Sequence, residues 1–146
     1  MGARPRLLAG TAAIAAAAAA SGCVSTSHDV ADAASEPGVT LYQENCASCH
    51  GVEGRGDGPV AHSMAVRVPD LTQIAVRRGG HFPREEVARI IDGLSPFAAH
   101  GAREMPVWGY EFIDPRLDDE AAHALAAERV NRLVEYLASI QARKRD

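Results

Sequence analysis

The stretch Leu41-Tyr42-Gln43-Glu44-Asn45-Cys46-Ala47-Ser48-Cys49-His50-Gly51 decides the fold. A Cys-x-x-Cys pair alone has several meanings: a redox dithiol, half a zinc site, or a disulfide. A redox dithiol belongs beside a βαβ pattern, and a four-cysteine zinc site needs a second pair. The sequence offers neither, since its only other cysteine is Cys23. The histidine directly after Cys49 points elsewhere. Two thiols at this spacing can attach to the vinyl groups of one haem while the imidazole takes an axial position on its iron. One helical turn puts both sulfurs and the ring on a single face. The chemistry read from these residues is therefore one covalent c-type haem, held by Cys46 and Cys49, with His50 on the metal.

Around this motif the chain reads as helices joined by long loops. Val39, Leu41, Tyr42 and Cys46 fall at helix-compatible offsets, so the spacing predicts a helix over 38–49. Residues 51–60 (GVEGRGDGPV) are too rich in glycine for regular structure and predict a loop lying close over a flat surface. Asp70 is a cap for a short helix from Leu71 to Arg78, ended by Gly79-Gly80. A further helix starts near Pro83, with Glu85 and Glu86 suiting its dipole, and stops at Gly93. Residues 94–116 predict a long connection. Asp118 opens the longest helix, reaching about Ala142, with Leu125, Val130, Leu133, Val134, Leu137 and Ile140 on one apolar side. No strand pattern and no internal repeat is visible. Loops of this length normally count against a compact fold, but a haem between helices and loops supplies the missing core.

The 146 residues are not uniform. Residues 1–22 carry only Arg4 and Arg6 as charges, followed by an alanine-rich run from Leu7 to Ala20. That run is too short for a membrane-spanning helix and has the layout of a secretory signal. It is expected to be removed as residues 1–22. The chain has a net charge of −4, and losing two arginines leaves the remainder more acidic. Nucleic acid is excluded as a partner, because it requires a cationic surface. Residues 24–37 lack large apolar side chains and read as a flexible tether, so residues 23–37 link the leader to a haem domain over 38–146.

Ala20-Ser21-Gly22-Cys23 resembles the bacterial lipobox, in which cleavage falls before a cysteine that then carries lipid. Ala20 stands where leucine is more usual, and Val24 is not the aspartate of the inner-membrane retention signal. The resemblance implies lipid on Cys23 and a location on the periplasmic side of a membrane, inner or outer. Ordinary cleavage, or an uncleaved alanine-rich anchor, are the alternatives.

For the second axial position the haem domain offers two methionines, Met64 and Met105. Met64 follows the glycine loop too closely to reach the opposite face easily. Met105, in the loop before the last helix, has chain on both sides able to wrap the haem, and Pro106 suits an irregular loop. Any methionine also serves as a core gap-filler; with a haem to ligate, Met105 is the reading chosen. His28 falls in the tether and His123 on a solvated face. His62, His81 and His100 lie in or near loops, with His100 the replacement ligand.

The whole resembles a bacterial class I monohaem cytochrome c over about residues 36–142. The resemblance is carried by LYQENCASCHG, GRGDGPVA, PDLTQIA, GGHFP, IDG and HGAREMPVWG. It implies an all-α fold, helices and long loops wrapped around one covalent haem, whose first and last helices cross. Gly38, Leu41 and Tyr42 would then meet Tyr136 and Leu137. It also implies a loop carbonyl accepting the Nδ1 proton of His50, with Pro59 the matching residue and Gly58 or Val60 the alternatives. Leu71 would line the haem, and Arg77, Arg78 and Trp108 are candidates for its propionates. One departure is that Lys144 is the sole lysine, where some relatives present a ring of them.

The implied function is an exported electron carrier, not an enzyme. It would shuttle single electrons between redox partners such as a dehydrogenase, a quinol-oxidising complex or a terminal oxidase. Should Met105 be off the iron, the alternative is a haem enzyme or a gas- or peroxide-binding cytochrome. A haem subunit permanently docked on a larger oxidoreductase is the other alternative.

Overall fold

The computed structural model describes residues 35–94 and 105–142. The leader, Cys23, most of the expected tether and His100 lie outside the described residues. Within them the chain is helical, with no strand.

Helix α1 spans Gly38–Asn45 and α2 spans Ala47–His50. The single helix expected over 38–49 is thus interrupted at Cys46, whose φ of −117° departs from helical geometry. The backbone still bonds through the break, with Cys46 N donating to Tyr42 O at 2.8 Å and His50 N to Cys46 O at 2.9 Å. Gly51 then ends the helix at φ +80°, where a Cβ would overlap the Asp57 carboxylate. Only glycine turns the chain there without strain.

Asp70 caps as expected, accepting from Thr72 N at 2.9 Å. The segment after it is tighter than the expected helix: a 3₁₀ turn, Leu71–Gln73, leads into α3, Ile74–Arg77. Helix α4, Arg84–Asp92, matches its sequence signals and ends on a left-handed Gly93 at φ +84°. The connection over 94–116 contains a helix that the sequence reading missed, α5, Trp108–Glu111. Trp108 stacks near Phe112 with ring centroids 5.3 Å apart, so packing holds this single turn. Helix α6, Asp119–Ser139, starts on the Asp118 side chain, which accepts from Ala121 N at 2.9 Å. It stops short of the expected Ala142.

The architecture follows from α6, which packs against α1, α4 and α5. Leu133, Leu41 and Tyr42 are almost fully buried. Helices α1 and α6 approach so closely at Gly38 that a Cβ would overlap the Arg132 carbonyl. Tyr42 and Tyr136 meet beside this crossing with ring centroids 5.0 Å apart. Just before α1, the Glu36 carbonyl accepts from Arg132 Nη1 at 2.9 Å.

Candidate haem site

The buried face of α1 and the turn after it place the motif. Tyr42, buried in the core, donates its hydroxyl to Gly51 O at 2.6 Å and so ties α1 to the residue directly after His50. Burial pushes that hydroxyl well above its ordinary pKa, helped by Cys46, Tyr136 and Asp57, so it remains a neutral donor. His50 is buried at 8% exposure. Cys46 and Cys49 are half-buried free thiols.

A cavity of about 230 Å³ opens beside them, lined by Cys46, His50 and Met105 and by apolar residues that include Leu71, Ile74 and Ile91. A smaller cavity of about 60 Å³ shares Cys46, His50, Pro69 and Met105 with it and adds Cys49, Met64 and Trp108. Both attachment sulfurs, the histidine and Met105 are therefore brought together, and Met105 lies on both cavities. Met64 reaches only the smaller one.

The walls are mainly apolar, as a flat hydrophobic macrocycle requires. Leu71 lines the larger cavity, as do Arg77 and Arg78; Trp108 lines the smaller. Arg78 is bound by Glu86, which also lines the larger cavity. That pairing raises the guanidinium and lowers the Glu86 carboxyl, each by the hydrogen bond first. Arg77 donates to Asp70 O at 3.0 Å. Pro59 is exposed and lines neither cavity. His62 and His81 are exposed and outside both.

The other meanings of the motif fit poorly. Burial, then the neighbouring Cys49, pushes the Cys46 thiol up to about 12. A redox dithiol needs the reverse, a thiolate stabilised by its surroundings. Among the described residues no group of three His, Cys, Asp or Glu side chains is placed to hold a metal ion by itself.

A family model described as Cytochrome c matches residues 35–141. The chain belongs to the cytochrome c family. No curated protein and no solved structure matches it. Family membership and the Cys46-x-x-Cys49-His50 motif assign covalent haem c and an electron-transfer role of the general kind that cytochromes c perform. The cytochrome c fold also accounts for a core with a slot beside α6, whose mainly apolar walls suit the macrocycle.

Sequence reasoning missed Ile74, Val87, Ile90 and Ile91 as wall residues. The signal was present on α4, where Val87, Ile90 and Ile91 recur at the offsets of one helical face. Tyr42 was expected at the helix crossing, but its bond to Gly51 has no signature in the sequence.

Proposed function

We propose that the protein is an exported one-electron carrier whose haem iron takes His50 and Met105 as axial ligands. The observation that supports this reading is that Met105 and His50 line the same cavity as Cys46. Bound haem supplies a ferric/ferrous couple, and a thioether ligand favours the ferrous state.

The chain's own residues do the rest. Cys46 and Cys49 keep the cofactor from being lost outside the cell. Tyr42 fixes the turn that carries His50. The apolar walls from Leu71, Ile74, Ile91, Leu133 and Leu137 exclude water. One electron enters from a reduced partner protein and one leaves to an oxidised partner, with no bond made and no proton required. Bound haem would be held by Cys46, Cys49, His50 and Met105, and retaining His50 and Met105 in both oxidation states would keep the exchange fast and deny the iron to oxygen or peroxide.

Pro59 remains the proposed carbonyl partner of His50. Arg77, Arg78 and Trp108 remain the proposed partners of the propionates; Arg78 would exchange or share its Glu86 bond. Cys23 is proposed to carry lipid that holds the protein on the periplasmic side of a membrane.

Carbon monoxide tests the reading. The reduced protein should not bind it, whereas reduced Met105→Ala should bind it readily; ready binding by the unaltered protein contradicts a closed site. Cys23→Ser should release the protein from membranes into the soluble fraction. A redox titration on purified membranes then identifies which dehydrogenase or oxidase exchanges electrons with it.

A further inference from the structure

Two leucines on the haem cavity lend their carbonyl oxygens to the same side-chain amide. Gln141 Nε2 donates to Leu71 O at 2.9 Å and to Leu137 O at 2.6 Å. Leu71 comes from the loop side of the cavity and Leu137 from α6. The other end of the same amide, Oε1, accepts from Ala75 N at 2.8 Å. Ala75 lies in the first turn of α3, where backbone donors have no partner within the helix. Gln141 thus uses both donors and its acceptor, capping Ala75 N and adding a second donor to Leu71 O, which also accepts from Ile74 N. One residue further, Ala142 N donates to Thr72 O at 2.8 Å and closes the same seam.

The seam joins segments about 70 residues apart in sequence. Leu71 N is tied to the glycine loop by its bond to Gly54 O at 2.7 Å, but the bonds that tie this wall to α6 and the residues after it are those of Gln141 and Ala142. Leu71 and Ile74 are only half-buried and would slide on apolar contacts alone, because hydrophobic burial is non-directional. Hydrogen bonds from one rigid planar amide fix distances that such contacts leave loose.

We infer that Gln141 is a positioning residue: its amide sets the spacing between the Leu71–Ala75 wall and the α6 wall of the haem slot, and thereby the reduction potential. The inference rests on the electron-carrier reading and goes beyond it. The ferric form carries one more positive charge than the ferrous form, so water reaching the slot favours the ferric state. A wall held shut favours the ferrous state, since the apolar shell controls solvent access and local dielectric.

The test uses the intact haem protein with Gln141→Met, similar in length but without the bonds, and Gln141→Glu, which keeps an acceptor for Ala75 N but sets a carboxylate against two carbonyls. Ser139→Ala is the control, since the exposed Ser139 hydroxyl donates to Tyr136 O within its own helix. Both Gln141 variants should move the ferric/ferrous equilibrium about threefold or more toward ferric at a fixed ambient potential. They should also speed exchange of the Ala75 amide about tenfold or more, while the amides of Val134 to Leu137 stay within about twofold. The control should move neither. An unmoved equilibrium, or exchange rising equally along α6, overturns the inference.

A measurement without substitution stands behind these. In the unaltered protein the side-chain amide protons of Gln141 should exchange about tenfold more slowly than those of exposed Gln43; equal rates overturn the inference even if no variant folds. The methionine–ferric iron charge-transfer band separates this from the ligand assignment. With the band present and the equilibrium unmoved, the Gln141 role fails alone. With the band missing from the unaltered protein, it is the ligand assignment that fails.

Discussion

The crossing of α1 with α6 and the slot between α6 and the α3–α4 side are built from the same kinds of side chain, yet only the crossing is closed by protein. At the crossing, Gly38 admits the Arg132 carbonyl, and Tyr42 and Leu41 are buried in one cluster with Leu133. At the slot, Leu71, Ile74 and Ile91 face a cavity of about 230 Å³. Leu133 and Leu137 belong to both regions. The difference shows how a small helical domain divides its core: one half is packed by its own chain, and the other is shaped for a cofactor. It also explains the long loops, which need only cover the haem rather than pack on one another.

The largest effect should follow from removing the cofactor's covalent hold. Cys46→Ser with Cys49→Ser should abolish cooperative thermal unfolding followed by near-ultraviolet circular dichroism. Losing half the core forfeits the roughly 5–15 kcal/mol by which domains are ordinarily stable. A retained sharp transition would mean that the crossing alone sustains the fold. Next in size is the crossing itself. Gly38→Ala should cost about 1–3 kcal/mol in denaturant unfolding of the haem protein, because a methyl group has no room beside the Arg132 carbonyl. The absorption spectrum should stay unchanged, since the strain lies away from the slot. An equal disturbance of the haem spectrum would erase the distinction between the two regions.

Tyr42 touches both regions, and Tyr42→Phe sharpens the boundary. It leaves ring packing intact but removes the donor to Gly51 O, for a cost of about 1–2 kcal/mol. Unlike Gly38→Ala, it should also perturb the haem spectrum, through the turn that carries His50.

The smallest effect lies outside both regions and concerns pH. Hydrogen bonds from the Arg116 side chain, and then from its backbone, hold the Asp114 carboxyl down at about 2, below its ordinary 3.8. A carboxyl whose pKa is depressed by folding contributes stability above the unfolded value and loses it as pH falls through the folded one. The small difference in thermal midpoint between the protein and Asp114→Asn at pH 6 should therefore close between about pH 4 and pH 2. Because Asp114, half-buried in its ion pair with the exposed Arg116, lines neither cavity, the reduction potential should not follow it.

Much of this division was legible in the sequence because its signals are local. The Cys46-x-x-Cys49-His50 spacing, the Asp70 and Asp118 caps and the Gly93 stop each lie within a few residues of what they control. Three things were not legible, for physical reasons. Residues 108–111 form a helix through the packing of Trp108 on Phe112, although Gly109 within the turn reads as loop. The break at Cys46 and the tight turn at Leu71–Gln73 fall where the chain borders the larger cavity, and no local signal marks either. The Gln141 seam joins distant segments through backbone carbonyls, which every residue possesses, so its partners carry no sequence signature. Cys46, Cys49, His50 and Met105, which stand out by residue identity, line the cavities, whereas Pro69 and Ile74, which contribute only wall shape, carried no signal in the sequence.

The central proposal is that His50 and Met105 would both ligate the iron of a haem held in this slot. The ferric protein and its Met105→Ala variant, compared for the methionine–ferric iron charge-transfer band, test it most directly. The band should be present in the unaltered protein and absent from the variant. A band missing from the unaltered protein, or surviving in Met105→Ala, would contradict the assignment.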